Sequence, residues 1–201
     1  MGINFGITLP NDTTMNTDNY IQLIYEGCLR NEPKYQERLY KLLAPKMLGV
    51  CMRYAKDKDE AQDIMQEGFI KIYRNLHSFR NEGSLEGWMR HIMINTAINR
   101  YRKSKNTVLV DDLAENDTIS VRGHNSDRLE AADLMNMIQQ LPGNYRNVFN
   151  MYAIEGYSHQ EIGNELGISE LLSRATLHRA RGILKNRLSV LQSREMVYMA
   201  G

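Results

Sequence analysis

Apolar residues recur at three- and four-residue spacing along most of this chain, and that period predicts helices rather than strands. From Tyr20 to about Lys105 the helical period is interrupted near Asn31 to Pro33, near Lys56 to Asp59, and from Ser78 to Ser84, which gives four helices. One of them starts at Asp59 with Gln62 and buries Ala61, Ile64 or Met65, Gly68 or Phe69, Ile72 and Leu76. The next starts near Ser84, with Leu85, Trp88, Met89 and Ile92 as its apolar positions. A second helical run, from about Asp127 to Ser193, is broken first by Leu141-Pro142-Gly143. It then reads as two helices around a tight turn. Ser158 and Glu161 form a capping box, Ile162 and Leu166 follow at helical spacing, and Gly167 supplies the left-handed stop. Ser169 caps the next helix, where Leu177, Ala180 and Leu184 make one stripe and Arg174, Arg179, Arg181, Lys185 and Arg187 lie around the rest. The expected fold is all-α: two small helical domains joined by a flexible acidic linker. The divisions are a loose arm at 1–18, a first unit at 19–105, a linker at 106–126, a helix-turn-helix unit at 127–193 and a tail at 194–201.

Composition narrows the class. The chain has 201 residues, 42% of them apolar, and no membrane-length apolar run, so it is read as a soluble cytoplasmic protein without membrane insertion. The net charge of +1 conceals a segregation of sign. Between Gly87 and Val110 there is no acid against Arg90, Arg100, Arg102, Lys103 and Lys105; Asp111, Asp112, Glu115 and Asp117 then follow closely. Such blocks suit a protein that meets nucleic acid with some segments and avoids it with others. Cys28 and Cys51 have no metal-ligand spacing and are read as buried thiols in a reducing compartment.

Three surfaces stand out. The helix-turn-helix pattern is the commonest means of placing a helix in a DNA major groove, although a plain helical hairpin with solvated arginines has the same period. In the first unit Asp63, Gln66, Glu67 and Ile70 share one helix face, which suits either solvent or a partner. On the following helix His91, Asn95, Asn99 and Arg102 climb a separate stripe into a basic run. Amides and arginines without acids suit phosphate and base contacts. Trp88 either stacks on a base or packs in the core, and its place in the apolar stripe favours the core.

These residues carry a family resemblance. Glu60-Ala61-Gln62-Asp63-Ile64-Met65-Gln66-Glu67-Gly68-Phe69, then Phe79-Arg80, Trp88, Asn95-Thr96-Ala97 and Asn99, resemble region 2 of bacterial extracytoplasmic-function (ECF) sigma factors of the sigma-70 family. Leu141-Pro142, Tyr145-Arg146, Val148-Phe149, Glu155-Gly156-Tyr157-Ser158, Glu161-Ile162, Leu166-Gly167-Ile168-Ser169 and Leu177-His178-Arg179-Ala180-Arg181 are similar to region 4. The resemblance covers roughly residues 20–105 and 127–190. It implies a subunit that binds core RNA polymerase and directs promoter recognition and DNA melting, with Asp63, Gln66, Glu67 and Ile70 docking on polymerase. The loop residues Ser78, Phe79, Arg80, Asn81 and Glu82 would capture an unstacked base of the minus-ten element, while Asn95, Asn99, Arg100, Arg102 and Lys103 hold the strand and adjacent duplex. Melting then needs no hydrolysis, since stacking and backbone contacts offset the few kcal/mol that a flipped base costs. The acidic linker would thread the polymerase cleft.

In the helix-turn-helix the corresponding DNA-binding candidates are Ser158, Ser169, Ser173, Arg174, Thr176, His178 and Arg179. Here the chain departs from its family: Leu171-Leu172 stand where small or polar residues, often Gly-Thr, open the recognition helix. Leucines offer no hydrogen bonds to base edges. They touch thymine methyl groups, turn inward, or meet a protein, and the favoured expectation is weakened or altered minus-thirty-five reading with recruitment by another protein. An anti-sigma partner is also left open. A conventional helix-turn-helix regulator is the alternative, but the docking face and basic helix of the first unit would be surplus in it. No Gly-rich phosphate loop or two-histidine metal motif is present, and His159-Gln160-Glu161 lacks a zincin's second histidine, so neither an enzyme nor a cofactor or metal is expected.

Overall fold

In the computed structural model, residues 17–107 and 131–199 are described. The expectations for most of the arm and for the acids Asp111, Asp112, Glu115 and Asp117 therefore lie outside the described residues. The elements are α1 (Thr17–Leu29), α2 (Pro33–Tyr54), α3 (Lys58–Asn75), a 3-10 turn (Leu76–Ser78), α4 (Leu85–Thr107), α5 (Ala131–Gln139), α6 (Gly143–Phe149), a π-turn (Asn150–Ile154), α7 (His159–Leu166) and α8 (Glu170–Met199). No strand occurs among the described residues.

Local chemistry accounts for most boundaries. Pro33 occupies the first turn of α2, where its missing N–H costs nothing. The side chain of Asp57 accepts from the Glu60 N–H at 2.8 Å and starts α3, so the cap lies two residues before the expected Asp59. Ser158 and Glu161 form the expected capping box, and Gly167 ends α7 at φ 67°. The Ser169 hydroxyl accepts from the Leu172 N–H at 3.1 Å, as expected of a cap on α8.

α1 to α4 pack around Ile24, Leu39, Leu43, Met47, Ile64, Ile72, Met89, Met93, Ile94 and Ile98, all essentially without exposure. The stripe expected on α3 is buried throughout. α3 and α4 approach so closely that a Cβ on Gly68 would stand 2.2 Å from Met93 Sδ. Trp88 is half-buried and packs against this core, with its ring 5.7 Å from that of Phe79.

The second unit does not stand apart. Val148, Met151, Ile162 and Leu177 belong to the same buried cluster as the first four helices, so the two units share apolar packing. Polar bonds reinforce it: Gln139 Nε2 donates to Met52 O at 2.8 Å and Asn150 Nδ2 to Arg53 O at 2.5 Å, satisfying carbonyls at the carboxyl end of α2. Cys28 and Cys51 are buried free thiols, and burial pushes them up to about 11 and about 12, so both stay protonated.

Candidate polymerase and nucleic-acid interfaces

The α3 face is exposed and carries charge. Asp63 and Gln66 are exposed, Glu67 is half-exposed, and Ile70 retains 51% of its surface. Two of these residues are engaged within the chain. Asp63 Oδ2 accepts from Arg100 Nη2 at 2.8 Å, and Glu67 pairs with Lys71 at 2.8 Å. Arg100, expected to hold DNA, is thus bonded to Asp63 of the α3 face. Both pairs are solvent-exposed and weak, well under 1 kcal/mol by the usual order of magnitude, so either partner can leave.

The loop between α3 and α4 sorts its residues by depth. Ser78 is exposed and donates to Asn75 O at 2.7 Å. Phe79 points inward, edge-on to Tyr25 with ring centroids 5.5 Å apart, so it forms a wall rather than a free stacking platform. Arg80, Asn81 and Glu82 are exposed, and Asn81 adopts φ 57°, a left-handed conformation that asparagine tolerates better than most residues. Along α4 Asn95 is half-buried, Asn99, Arg102 and Lys103 are exposed, and Arg102 Nη1 donates to Glu165 O at 3.4 Å.

The helix-turn-helix separates its expected contacts into two groups. Ser173 and Thr176 are buried, at 0% and 6% exposure. They face the packed side of α8 and not the outside, a correction to their expected place among the groove-reading residues. Ser173 Oγ shares a hydrogen bond with His159 Nδ1 at 2.9 Å, and His159 stacks on Tyr152 at 4.5 Å. Burial, with Arg174 adding to it, holds His159 below the ordinary imidazole range. Ser158 and Ser169 are exposed but spend their hydroxyls on the caps. The outer face keeps Arg174, His178 and Arg179 exposed, with Arg174 Nη2 paired to Glu170. Leu171 and Leu172 are 77% and 50% exposed, so neither turns inward.

One residue that the sequence reading left without a role organises the contact between units. Glu155 keeps only 4% side-chain exposure, and its carboxylate binds Arg53 Nη2 at 2.6 Å and Arg90 Nη1 at 3.4 Å. Beside it Tyr157 and His91 share a hydrogen bond of 2.8 Å, with their rings stacked. Burial pushes the Tyr157 phenol up to about 12, with Glu165 adding to the effect. The tip of α7 and the π-turn therefore lie on the His91–Arg102 side of α4. The signal for this was a glutamate beside a glycine, directly after an apolar run, which has no intrinsic direction in sequence.

Two helical units, one of them a helix-turn-helix with an exposed basic face, define a DNA-binding protein. Residues 39–107 match the family described as Sigma-70 region 2, and residues 131–184 match Sigma-70, region 4. The chain is similar to the RNA polymerase sigma-H factor of Pseudomonas aeruginosa, with 28% identity over 190 residues, 88% of this chain and 98% of that protein. It is 30% identical over 166 residues to the ECF RNA polymerase sigma factor SigW of Bacillus subtilis, covering 77% of this chain and 84% of the relative. Among solved structures it is similar to the sigma factor RpoE from Bartonella quintana, determined with the anti-sigma factor NepR, at 18% identity and a TM-score of 0.49 over 77% of this chain and 96% of that one. This chain belongs to the ECF group of sigma-70 family RNA polymerase sigma factors. It acts with core RNA polymerase on promoter DNA in transcription initiation. No described helix is long and apolar enough to cross a membrane.

Proposed function

We propose that this factor opens the minus-ten element with its first unit and reads the minus-thirty-five element weakly or in an altered way with its second. The observation behind the second half is the start of α8. Its outward groups there are Leu171, Leu172 and Glu170, the last paired with Arg174, while Ser173 and Thr176 are withdrawn into the packing. Of the expected groove readers Arg174, His178 and Arg179 remain outward, and they suit phosphates or guanine edges. Such a helix binds duplex through its backbone and discriminates little, so a recruiting protein that covers the leucines would supply the missing specificity. An anti-sigma protein is a second partner class for the same exposed surfaces. The chain acts in the cytoplasm, with no chemistry of its own.

In the first unit Asp63, Gln66, Glu67 and Ile70 form the docking face for polymerase. Arg80, Asn81 and Glu82, with Ser78 at the edge and Phe79 as the wall, surround the captured base, and Asn95, Asn99, Arg100, Arg102 and Lys103 hold the strand. The test is a permanganate footprint of the minus-ten region with reconstituted holoenzyme. Alanine at Asn81 or Arg80 reduces melting more than initial duplex binding, and neutralising Arg102 with Lys103 weakens both steps. Unchanged footprints in all of these variants contradict the proposed strand-capture surface.

A further inference from the structure

A groove of about 620 Å³ lies between α1, the loop and the start of α4, with Tyr25, Phe79, Asn81, Glu86 and Arg90 among its walls. It is large enough for a nucleotide-sized group. Among the described residues that line it Arg90 is the one cation. Glu86 would repel a phosphate, but Lys46 Nζ lies 2.6 Å from its carboxylate and offsets that charge.

Arg90 also faces the second unit. Its Nη1 lies 3.4 Å from Glu155 Oε2, while the other Glu155 oxygen is bound to Arg53 at 2.6 Å. These two contacts are unequal. Arg53 is 14% exposed and Arg90 42%, so the Arg90 contact is the longer and more hydrated of the two. Removing it leaves the buried carboxylate paired with Arg53, which avoids the severe penalty of an unpaired buried charge. Arg90 is therefore the member of this cluster free to leave.

We propose that Arg90 is a further nucleic-acid contact of the first unit, moving from Glu155 to a backbone phosphate of the single strand lodged in the groove. Glu155 competes with the strand for the same guanidinium. A phosphate is the natural second partner, because guanidinium N–H groups match its oxygens in a two-pronged contact. The motion needs only a side-chain swing and leaves the packing of the units intact. This proposal rests on the strand-capture reading of the neighbouring loop.

The test uses the full chain without core polymerase, with the two units packed as described. Its probe is a fluorescent single strand carrying the non-template minus-ten sequence of a promoter that the holoenzyme transcribes. Arg90→Gln weakens binding about fivefold and reduces the slope of log affinity against log salt by about 0.7, one phosphate's share for a single strand. Arg90→Lys restores the slope. Glu155→Gln tightens binding in the parent and has no effect in the Arg90→Gln background. If Arg90→Gln matches the parent in affinity and slope while Asn81→Ala weakens binding, the Arg90 contact is overturned and the capture reading survives. If Asn81→Ala and Arg90→Gln both match the parent, the capture reading falls as well. Equal effects of Glu155→Gln in both backgrounds overturn the competition. Should Glu155→Gln fail to fold, the three-way comparison of parent, Arg90→Gln and Arg90→Lys still decides whether Arg90 touches the strand.

Discussion

The two basic surfaces of this chain stand in opposite relations to the rest of the molecule. On α4, Arg90, His91 and Arg102 all touch the second unit, through Glu155, Tyr157 and the Glu165 carbonyl. On the outer face of α8, Arg174 pairs with Glu170 of its own helix, while His178, Arg179 and both leucines face outward. DNA or protein can reach α8 with the units packed as they are. A strand on α4 has to compete with the second unit for at least some of its contacts. Under the proposed function the two surfaces take distinct roles: α8 is available first, and α4 becomes fully available once polymerase and promoter displace those contacts.

The sharpest break of this comparison comes from the buried side of the contact. Arg53→Ala leaves Glu155 with only its longer, wetter partner, and it should lower the free energy of unfolding by about 3 kcal/mol, read from urea denaturation. A loss below about 0.5 kcal/mol would mean that the contact is as loose as a surface ion pair. The docking face comes next. Asp63→Arg with Glu67→Arg should reduce affinity for core polymerase about tenfold or more, with helical content unchanged, because exposed substitutions seldom disturb a fold. Unaltered affinity would remove the assignment of this face.

Smaller effects distinguish the two basic surfaces themselves. Neutralising Arg102 and Lys103 together should flatten the salt dependence of single-strand binding by about 1.4 in slope. Arg174→Ala, which breaks an exposed i,i+4 pair, should change stability by no more than about 0.5 kcal/mol. The smallest effect is a pH dependence at the junction of α7 and α8. His159 is held below its ordinary range by burial, with Arg174 and Arg181 opposing its charge and Glu170 partly favouring it. The contribution is therefore full above about pH 6.5 and is lost as pH falls through that value towards the lower folded one. Hydrogen exchange at the α7–α8 turn should speed up over this window, and His159→Gln should remove the response.

How much of this was legible depended on how local each cause is. The helices, the capping box at Ser158, the left-handed Gly167 and the buried stripe of α3 all follow from neighbours within about two turns, and the period carries them. The cap at Asp57 was missed for a near neighbour, because Asp57 and Asp59 both precede the apolar stripe and only geometry chooses between them. Ser173 and Thr176 could have been placed inside: carrying the Leu177–Ala180–Leu184 stripe back by one turn reaches both. Pro45 lies within α2 without ending it, since packing over 22 residues outweighs one lost backbone bond. The union of the two units was illegible for another reason. Arg53 and Glu155 are separated by 102 positions, and nothing in either segment's period points to the other. Recognising both family regions did not supply that contact either. An isolated second unit would bare Val148 and Met151, so experiments on DNA reading call for the full chain.

The central claim, that α8 binds duplex without reading it well, is tested most directly by selecting binding sites from random duplexes at physiological salt with the full-length factor in holoenzyme. Enrichment confined to the minus-ten region, with little preference at the minus-thirty-five position and duplex affinity that falls steeply with salt, is the result expected of a start of α8 dominated by Leu171 and Leu172. A sharp minus-thirty-five consensus, strongly preferred over mismatched sites, would contradict it and show that the helix reads bases through Arg174, His178 and Arg179 despite its leucines.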